Sequence, residues 1–197
     1  MFEMEPAVRR SLGLLISAFA ALVLAGCHGG GAESPQGAVA TAPAALSAAP
    51  IRIKAGVDAP FKDNQGNIWM PDTGLFADGD VVTRDDTLPI ANTKDPAMFR
   101  SERFGMTSFS YNLPNGKYKV KLYFADTYEG ITGPGQRVFS FNVQGHEVKD
   151  FDIVAKVGSN TADVETFDVA VTNGKLSITF TPNVENPEIN AIEIIPQ

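Results

Sequence analysis

The chain is 197 residues long and carries 16 Lys and Arg against 23 Asp and Glu, giving a formal net charge of −7. This acidity argues against a nucleic-acid-binding protein, which needs a basic face for the phosphate backbone. Hydrophobic residues make up 44% and charged residues 20%, as in a globular protein rather than a disordered one. The single Cys excludes an internal disulfide and a Cys-rich zinc site.

Residues 1–26 have the pattern of a secretory signal peptide. Arg9 and Arg10 precede an apolar run from Leu12 to Leu24, which is shorter than the roughly 20 residues of a transmembrane helix. The four residues that end at Cys27 resemble the lipobox of bacterial lipoproteins, which implies cleavage before Cys27 and acylation of its thiol. The alternatives are a plain cleaved signal with an incidental Cys, or an uncleaved anchor.

An acylated Cys27 predicts an exported protein that is anchored to the lipid bilayer of the cell envelope, because two or three acyl chains anchor stably. The next residue is His28 rather than Asp, which implies the outer membrane if the host is Gram-negative. Residues 28–50 are rich in Gly, Ala, Ser and Pro and have no hydrophobic periodicity. Residues 27–50 are therefore predicted to be the acylated Cys and a flexible linker.

Residues 51–197 predict an all-β domain. Tyr118, Val120, Leu122 and Phe124 alternate with three lysines and a tyrosine, which is the pattern of a strand with one buried face. Similar patterns recur along the chain. Strands are predicted at residues 51–55, 109–113, 117–124, 138–143, 146–153, 166–171, 176–180 and 189–195.

Three Gly-containing pairs predict turns between these strands. Asn115-Gly116 and Asn173-Gly174 are typical of tight hairpins, and Gln144-Gly145 is expected to turn the middle pair. Residues 95–104 have room for a short turn of helix, and the rest of the domain has no convincing helical period. Many short strands joined in this way predict a sandwich or barrel whose edge loops carry the function.

Several phrases of the domain occur in the order and spacing of the malectin domain, a carbohydrate-binding module. The phrases are residues 99–105, 109–111, 122–128, 135–139 and 186–194. They extend over most of the domain, so the resemblance is more specific than one short motif would be. It implies a galactose-binding-like, jelly-roll type β-sandwich that binds glucan-type oligosaccharides through loop aromatics at one end.

The resemblance also implies the residues that bind the ligand. The family's loop tyrosine falls on Tyr128, and the aromatic residue that follows it is replaced by Glu129. Phe104 stands where the family has a tyrosine, which keeps the stacking face and loses the hydroxyl. Glu185 stands where the family has an aspartate and is one methylene longer. The frame of the site is thus kept while its chemistry is altered.

Two further residues complete the candidate site. Phe76 corresponds to an early loop tyrosine of the family, and Asn186 begins the last of the shared phrases. These residue types suit a sugar, because aromatic rings pack on its C–H faces while carboxylates and amides bond to its hydroxyls. For each aromatic residue the alternative is packing in the core.

The predicted function is non-catalytic carbohydrate binding, and two alternatives remain. One is a structural or protein-interaction role in the envelope. The other is a minor glycoside hydrolase, which needs two carboxylates about 5–10 Å apart. Asp126 and Glu185 would serve only if their loops converged.

No catalytic residue, metal centre or cofactor is predicted. Residues 63–67 are rich in oxygen ligands, but their spacing departs from that of an EF-hand. A Gly-centred hairpin turn is therefore expected there, with a structural calcium as the alternative. Trp69 is expected to be a core or sheet-face residue, with a sugar platform as the alternative.

The lipobox resemblance predicts the effect of replacing Cys27. In a Cys27→Ser variant the precursor is expected to be neither acylated nor cut by the lipoprotein peptidase, because the thiol that carries the lipid is gone. Labelling with a fatty acid and measuring the mass of the mature protein checks this. Normal labelling of the variant would contradict the assignment.

Overall fold

The computed structural model describes residues 48–197, so the predicted signal peptide, Cys27 and nearly all of the predicted linker lie outside the described residues. The strands are β1 Ile51–Lys54, β2 Phe61–Lys62, β3 Ile68–Pro71, β4 Asp80–Thr83, β5 Ser101–Phe104, β6 Ser108–Asn112, β7 Gly116–Phe124, β8 Val138–Val143, β9 His146–Phe151, β10 Asp163–Val171, β11 Lys175–Val184, β12 Glu188–Ile189 and β13 Ala191–Pro196. A 3-10 turn spans Pro96–Phe99, and helix α1 spans Ile153–Val157. Neither is long and apolar enough to cross a membrane, and residues 48–197 contain no other helix that is.

The described strands form three sheets. A six-stranded sheet has the order β10-β7-β13-β1-β3-β2, a four-stranded sheet the order β6-β11-β8-β9, and a small sheet the order β12-β5-β4. Within these sheets, β1 and β3 run parallel, and the other paired strands are antiparallel. Apolar side chains of the two larger sheets meet in one core, which confirms the predicted all-β sandwich.

Strand β7 has the predicted buried face. Tyr118, Val120, Leu122 and Phe124 are buried, and Leu122 has no exposed surface. The opposite face carries the lysines, of which Lys119 is paired with an aspartate of β10 at 2.8 Å. The alternating pattern therefore places β7 between the core and a polar outer surface.

Phenylalanine rings fill the space between the two larger sheets. Phe124 of β7 contacts Phe139, Phe141 and Phe151 of the four-stranded sheet, with ring centroids 5.1–6.1 Å apart. Buried aromatic pairs at such distances contribute beyond the area that they remove from water. Phe109 and Phe180 belong to the same buried core.

The two predicted Asn-Gly hairpins are wrong. Strand β6 pairs with β11, whereas β7 pairs with β10 and β13, so residues 113–115 carry the chain from one sheet to the other. Residues 172–174 make the reverse crossing from β10 to β11. The two crossings are joined, because Leu113 N–H donates to Gly174 O at 2.9 Å and Gly174 N–H donates to Asn115 Oδ1 at 2.8 Å.

The prediction was correct for the middle pair and incomplete at several strand ends. Gln144 and Gly145 have φ of 50° and 100° and join β8 to β9 in a hairpin. The predicted strand 146–153 ends at Phe151, because Asp152 caps α1 by accepting a hydrogen bond from Ala155 N–H at 2.8 Å. The helical turn expected in residues 95–104 is the 3-10 turn, and β5 follows it.

A buried lysine ties three elements together. Lys54 of β1 has no exposed surface, and its Nζ donates to Ser101 O at 2.7 Å, Asn190 O at 2.9 Å and Ala55 O at 2.7 Å. Ser101 Oγ is a fourth acceptor at 2.5 Å. Burial lowers the pKa of Lys54 to about 7, against the opposing pull of nearby carboxylates.

Glu188 of β12 is a second buried ionisable group. It has no exposed surface, and neither of its carboxylate oxygens has a hydrogen-bond partner within residues 48–197. Burial raises the pKa of Glu188 well above its usual value, and the nearby Glu102 raises it further, while Arg137 opposes the shift.

The core position of Leu122 predicts a large loss of stability on truncation. Leu122→Ala is expected to lower the free energy of unfolding by about 2–5 kcal/mol, because it leaves a cavity between the sheets. Urea unfolding measures the effect. Lys117→Ala changes an exposed position of the same strand and should leave the midpoint nearly unchanged. Equal midpoints for wild type and Leu122→Ala would contradict the packing described here.

Glu188 predicts a pH-dependent difference between wild type and Glu188→Gln. The folded state holds a proton on Glu188 that the unfolded state releases above about pH 4.5, so this group's stabilising contribution is lost as pH rises. Gln does not titrate, and the variant should therefore gain on wild type by about 1.4 kcal/mol per pH unit between pH 5 and the raised pKa. Denaturant unfolding at pH 5, 6 and 7 checks this. If the difference in stability between wild type and Glu188→Gln were the same at all three pH values, Glu188 would be ionised in the folded state.

Candidate functional site

A cavity of about 430 Å³ opens where the small sheet meets the loops that follow β7 and β11. Its lining combines apolar side chains with two carboxylates and two guanidinium groups. The lining residues are Val81, Val82, Arg84, Glu102, Phe104, Tyr128, Arg137 and Glu185. The structure thus brings together three of the six residues predicted from the sequence, namely Tyr128, Phe104 and Glu185.

Tyr128 presents its ring to solvent at the rim of the cavity. Its side chain is 47% exposed, and the guanidinium carbons of Arg84 and Arg137 each lie 5.9 Å from its ring centroid. A Cβ atom at Gly130 would lie 2.5 Å from the ring, so any side chain at this position would clash with Tyr128. Both guanidinium groups thus lie over the ring, and the exposed remainder of Tyr128 stays available for a ligand.

The floor of the cavity is a charged network. Arg84 Nη2 donates to Glu102 Oε1 at 3.0 Å, and Arg84 Nε donates to Thr127 Oγ1 at 3.0 Å. Thr127 Oγ1 in turn donates to Glu102 Oε2 at 2.9 Å. Glu102 is 1% exposed, and this closed set of contacts keeps its orientation fixed.

Arg137 forms the other side of the floor. It is 4% exposed, and its Nε lies 3.5 Å from Asp126 Oδ2. Burial raises the pKa of Asp126, while the charge of Arg137 opposes the shift. Arg137 Nε and Nη1 have no hydrogen-bond partner among the described residues. Fixed donors therefore lie beneath the cavity, close to the buried carboxyl group of Glu188.

Glu185 lies on the rim in a strained turn. Its φ is 61°, in the left-handed region that residues other than glycine rarely adopt, at the turn between β11 and β12. Its Oε1 accepts hydrogen bonds from the backbone and side-chain nitrogens of Asn186, both at 3.1 Å. Asn186 is not among the lining residues, so its contact with the cavity passes through Glu185.

Glu129 lines a neighbouring cavity of about 510 Å³. The two cavities share Arg84 and Tyr128, which stand between them, and Asp126 also lines the second one. The replacement noted in the sequence thus puts a carboxylate on the far side of Tyr128.

Phe76 lies away from both cavities. Its ring packs on Phe109 with centroids 5.1 Å apart, and the guanidinium carbon of Arg103 lies 5.3 Å from its centroid. Arg103 does not pair with Glu102, its neighbour in sequence, but with Asp72 at 2.7 Å. Phe76 therefore covers the edge of the sandwich core, the alternative considered for each aromatic residue.

Sequence reasoning missed five lining residues, namely Val81, Val82, Arg84, Glu102 and Arg137. Val81 and Val82 lie on β4, a strand of four residues whose signal is two adjacent β-branched residues. Arg84 follows β4, so its approach to Tyr128 depends on the pairing of distant strands, whereas Arg137 ends the same loop that carries Tyr128. Glu102 and Arg137 carried a signal, since each stands in one of the phrases shared with the family.

The two carboxylates considered for a glycoside hydrolase do not meet in one cleft. Asp126 and Glu185 line different cavities rather than one cleft.

In the turn at residues 63–67, the Asp63 carboxylate accepts hydrogen bonds from Asn67 and from the indole N–H of Trp69, at 2.8 and 2.9 Å. Trp69 is 3% exposed, in agreement with a core or sheet-face position. Residues 48–197 hold no group of three His, Cys, Asp or Glu side chains suited to a metal ion.

Comparison with known proteins points to one family. The family described as the malectin domain matches residues 50–192. Malectin-B of Xenopus laevis is 34% identical over 128 residues, which is 55% of this chain and 46% of that protein. Human malectin is 33% identical over 128 residues, covering 55% of this chain and 43% of the relative. The chain thus covers less than half the length of these two relatives.

The fold recurs in a solved structure of low sequence identity. A crystal structure of Bacteroides uniformis β-glucuronidase superposes with a TM-score of 0.68 at 18% identity, over 76% of this chain and 18% of that one. This likeness concerns the fold of one part of the larger enzyme. The family match extends over most of the chain and includes the residues that build the Tyr128 cavity. The chain belongs to the malectin domain family.

Proposed function

We propose that the domain binds carbohydrate at the cavity beside Tyr128 and performs no chemistry there. The observation that carries the proposal is the half-exposed Tyr128 ring, which adjoins Phe104 and the rim carboxylate of Glu185. An aromatic face packs on the C–H surface of a sugar, and the carboxylate accepts hydrogen bonds from its hydroxyls. Membership of the malectin family supports the same ligand class.

The proposed ligand is a glucan-type oligosaccharide rather than a single sugar. Cavities of about 430 and 510 Å³ lie on either side of Tyr128 and share it. Each falls in the range of about 300–1,000 Å³ typical of small-ligand sites. A chain of sugars that crosses Tyr128 would contact Glu185 on one side and Glu129 on the other.

Two buried carboxylates near the site are held by partners within the protein. Glu102 is engaged by Arg84 and Thr127, and Asp126 lies beneath the surface beside Arg137. A hydrolase needs an acid and a second carboxylate across one glycosidic bond. Asp126 and Glu185 instead face different cavities, so the site offers recognition of a sugar and not its cleavage.

We further propose that the protein is exported and anchored to the cell envelope through an acylated Cys27, in the outer membrane if the host is Gram-negative. The lipobox-like residues and the position of the single cysteine support this. The segment from residue 28 to residue 50 would then act as a flexible tether for the binding domain.

A glycan array identifies the ligand class. The purified protein is expected to bind glucan-type oligosaccharides on the array. Retention of a protein partner that is indifferent to glycans, with no binding to the array, would favour the protein-interaction role instead. Release of reducing ends from bound oligosaccharide would overturn the non-catalytic assignment.

Tyr128→Ala is expected to weaken oligosaccharide binding about ten- to hundred-fold, since one stacking aromatic in a shallow site contributes about 1–3 kcal/mol. Its melting temperature should change little, because nearly half of the side chain is exposed. Calorimetric titration with the oligosaccharide selected by the array, together with thermal unfolding, measures both effects.

Two variants sharpen the result. Tyr128→Phe removes the hydroxyl alone, so a small loss of affinity means that stacking dominates and a large loss means that the hydroxyl bonds to the sugar. Ile68→Ala removes another exposed apolar side chain, which lines neither cavity, and should leave affinity unchanged. Wild-type affinity in Tyr128→Ala would rule out this site, and a collapse of its melting temperature would show that Tyr128 has a packing role.

A further inference from the structure

A groove of about 730 Å³ lies on the outer face of the six-stranded sheet, away from Tyr128. Its floor contains Tyr123 and Lys121 of β7, Glu193 of β13 and Arg52 of β1, which point away from the sandwich core. One wall consists of the turn at residues 63–67 and the loop at residues 92–95. The groove is larger than either cavity at Tyr128.

The polar part of the floor is organised around one carboxylate. Glu193 is 6% exposed and forms an ion pair with Arg52, whose Nε lies 2.8 Å from Oε1. Its Oε2 accepts hydrogen bonds from Lys121 Nζ and Tyr123 OH, both at 3.2 Å. Arginine has five N–H donors and lysine has three. In the described part of the chain Arg52 and Lys121 contact only Glu193 through their side-chain nitrogens, so each keeps donors for a ligand.

The wall is held by its own hydrogen bonds. Asn64 N–H donates to Asp95 Oδ2 at 2.8 Å, and Asn64 Nδ2 donates to Lys94 O at 2.6 Å, which fastens the turn to the loop. The Asp63 carboxylate is bound by the turn itself and by Trp69. A wall fixed in this way presents its remaining polar atoms in one arrangement, which limits the entropy lost on binding.

Apolar surface lies beside these polar groups. Tyr123 is half-buried, and its ring is supported edge to face by Trp69, which is only 3% exposed, with ring centroids 5.4 Å apart. Val164 of β10 lines the same groove and is 42% exposed. Aromatic and aliphatic surface next to fixed donors and acceptors matches the two kinds of surface on a sugar ring.

The charges of the groove nearly cancel. The cations are Arg52, Lys94 and Lys121, and the anions are Asp63, Asp95, Asp163 and Glu193. A strongly charged ligand would gain little from such a surface, whereas a neutral, hydroxyl-rich ligand finds donors and acceptors close together. We propose that this groove is a second carbohydrate site, which takes a neutral oligosaccharide independently of Tyr128. This inference rests on the proposed function for its ligand class.

The single tryptophan of the chain makes the groove separately observable. Trp69 is the only Trp in the sequence and lines the groove, while no Trp lines the Tyr128 cavity. The purified protein is titrated with maltohexaose, laminarihexaose and cellohexaose. Trp fluorescence reports the groove, and calorimetry counts all sites. At least one oligosaccharide is expected to change Trp69 emission equally in wild type and in Tyr128→Ala.

Two lysines of β7 provide a matched pair of variants. Lys121 and Lys119 lie on the same face with 31% and 36% of their side chains exposed, and each has one ion pair, but only Lys121 lines the groove. Lys121→Ala should shift the fluorescence titration to about tenfold higher ligand concentration, as expected for a lost hydrogen bond to a charged group. Lys119→Ala should leave it unchanged, and Lys121→Arg should largely restore it.

The outcomes separate the two proposals. Calorimetric binding that depends on Tyr128 without any change in Trp69 emission would overturn the second site and leave the proposed function intact. Equal shifts in Lys121→Ala and Lys119→Ala would likewise overturn it. Failure of all three oligosaccharides to bind, by heat and by fluorescence, would overturn both proposals.

Discussion

Burial of the apolar inner faces of two sheets is the interaction on which the rest of the structure depends. Phe124 lies against three phenylalanines of the opposite sheet, and Val120 and Leu122 on the same face of β7 are equally buried. Because side chains alternate along a strand, this burial also decides which side chains face outward and where β7 leaves the sandwich. Tyr128 and Arg84 meet at that end because the core fixes the strands that lead to them. The site is a consequence of the packing beneath it.

Ionisable groups inside the domain are arranged around this packing. Lys54 donates hydrogen bonds to three backbone carbonyl groups, those of Ala55, Ser101 and Asn190. It thereby joins three segments of the chain at a buried point. Glu188 lies close to the floor of the Tyr128 cavity with no partner for its oxygens in the described chain. In a low-dielectric interior such groups are costly unless paired or neutral. Protonation of Glu188 is therefore coupled to the stability of the fold.

The sequence allowed the all-β class and most of the long strands to be predicted, because period-two alternation survives in β7 and in its neighbours. It misplaced the connections at Asn115 and Asn173, since a turn motif reports local backbone preference and not which strands pair afterwards. The strands β2 to β5 are too short for periodicity to distinguish them from loops. Helix α1 depends on a cap at Asp152 and has only five residues.

The candidate site was predictable only in part for the same reason. Tyr128, Phe104 and Glu185 were found because each stands at a position that resembles the family's motif. Arg84 comes from a distant loop, so its contact with Tyr128 follows from strand order, whereas Arg137 reaches the ring from the other end of the loop that carries Tyr128. Phe76, like Phe104, is a phenylalanine that stands where the family has a tyrosine. The bridge between Phe76 and Phe109, which the sequence does not reveal, places Phe76 over the core.

The position of β1 has a mechanical consequence. This strand starts at Ile51, lies between β13 and β3, and ends at Lys54, which is bonded to the residue beside Glu102 of the cavity. A pull on Ile51 along the axis of β1 therefore acts on a strand that is hydrogen-bonded on both sides. The hydrogen bonds to both neighbouring strands run across that axis, so they are loaded together in shear instead of opening one after another. Tension applied at Ile51 would be carried by an interior strand of the sheet and not by its edge.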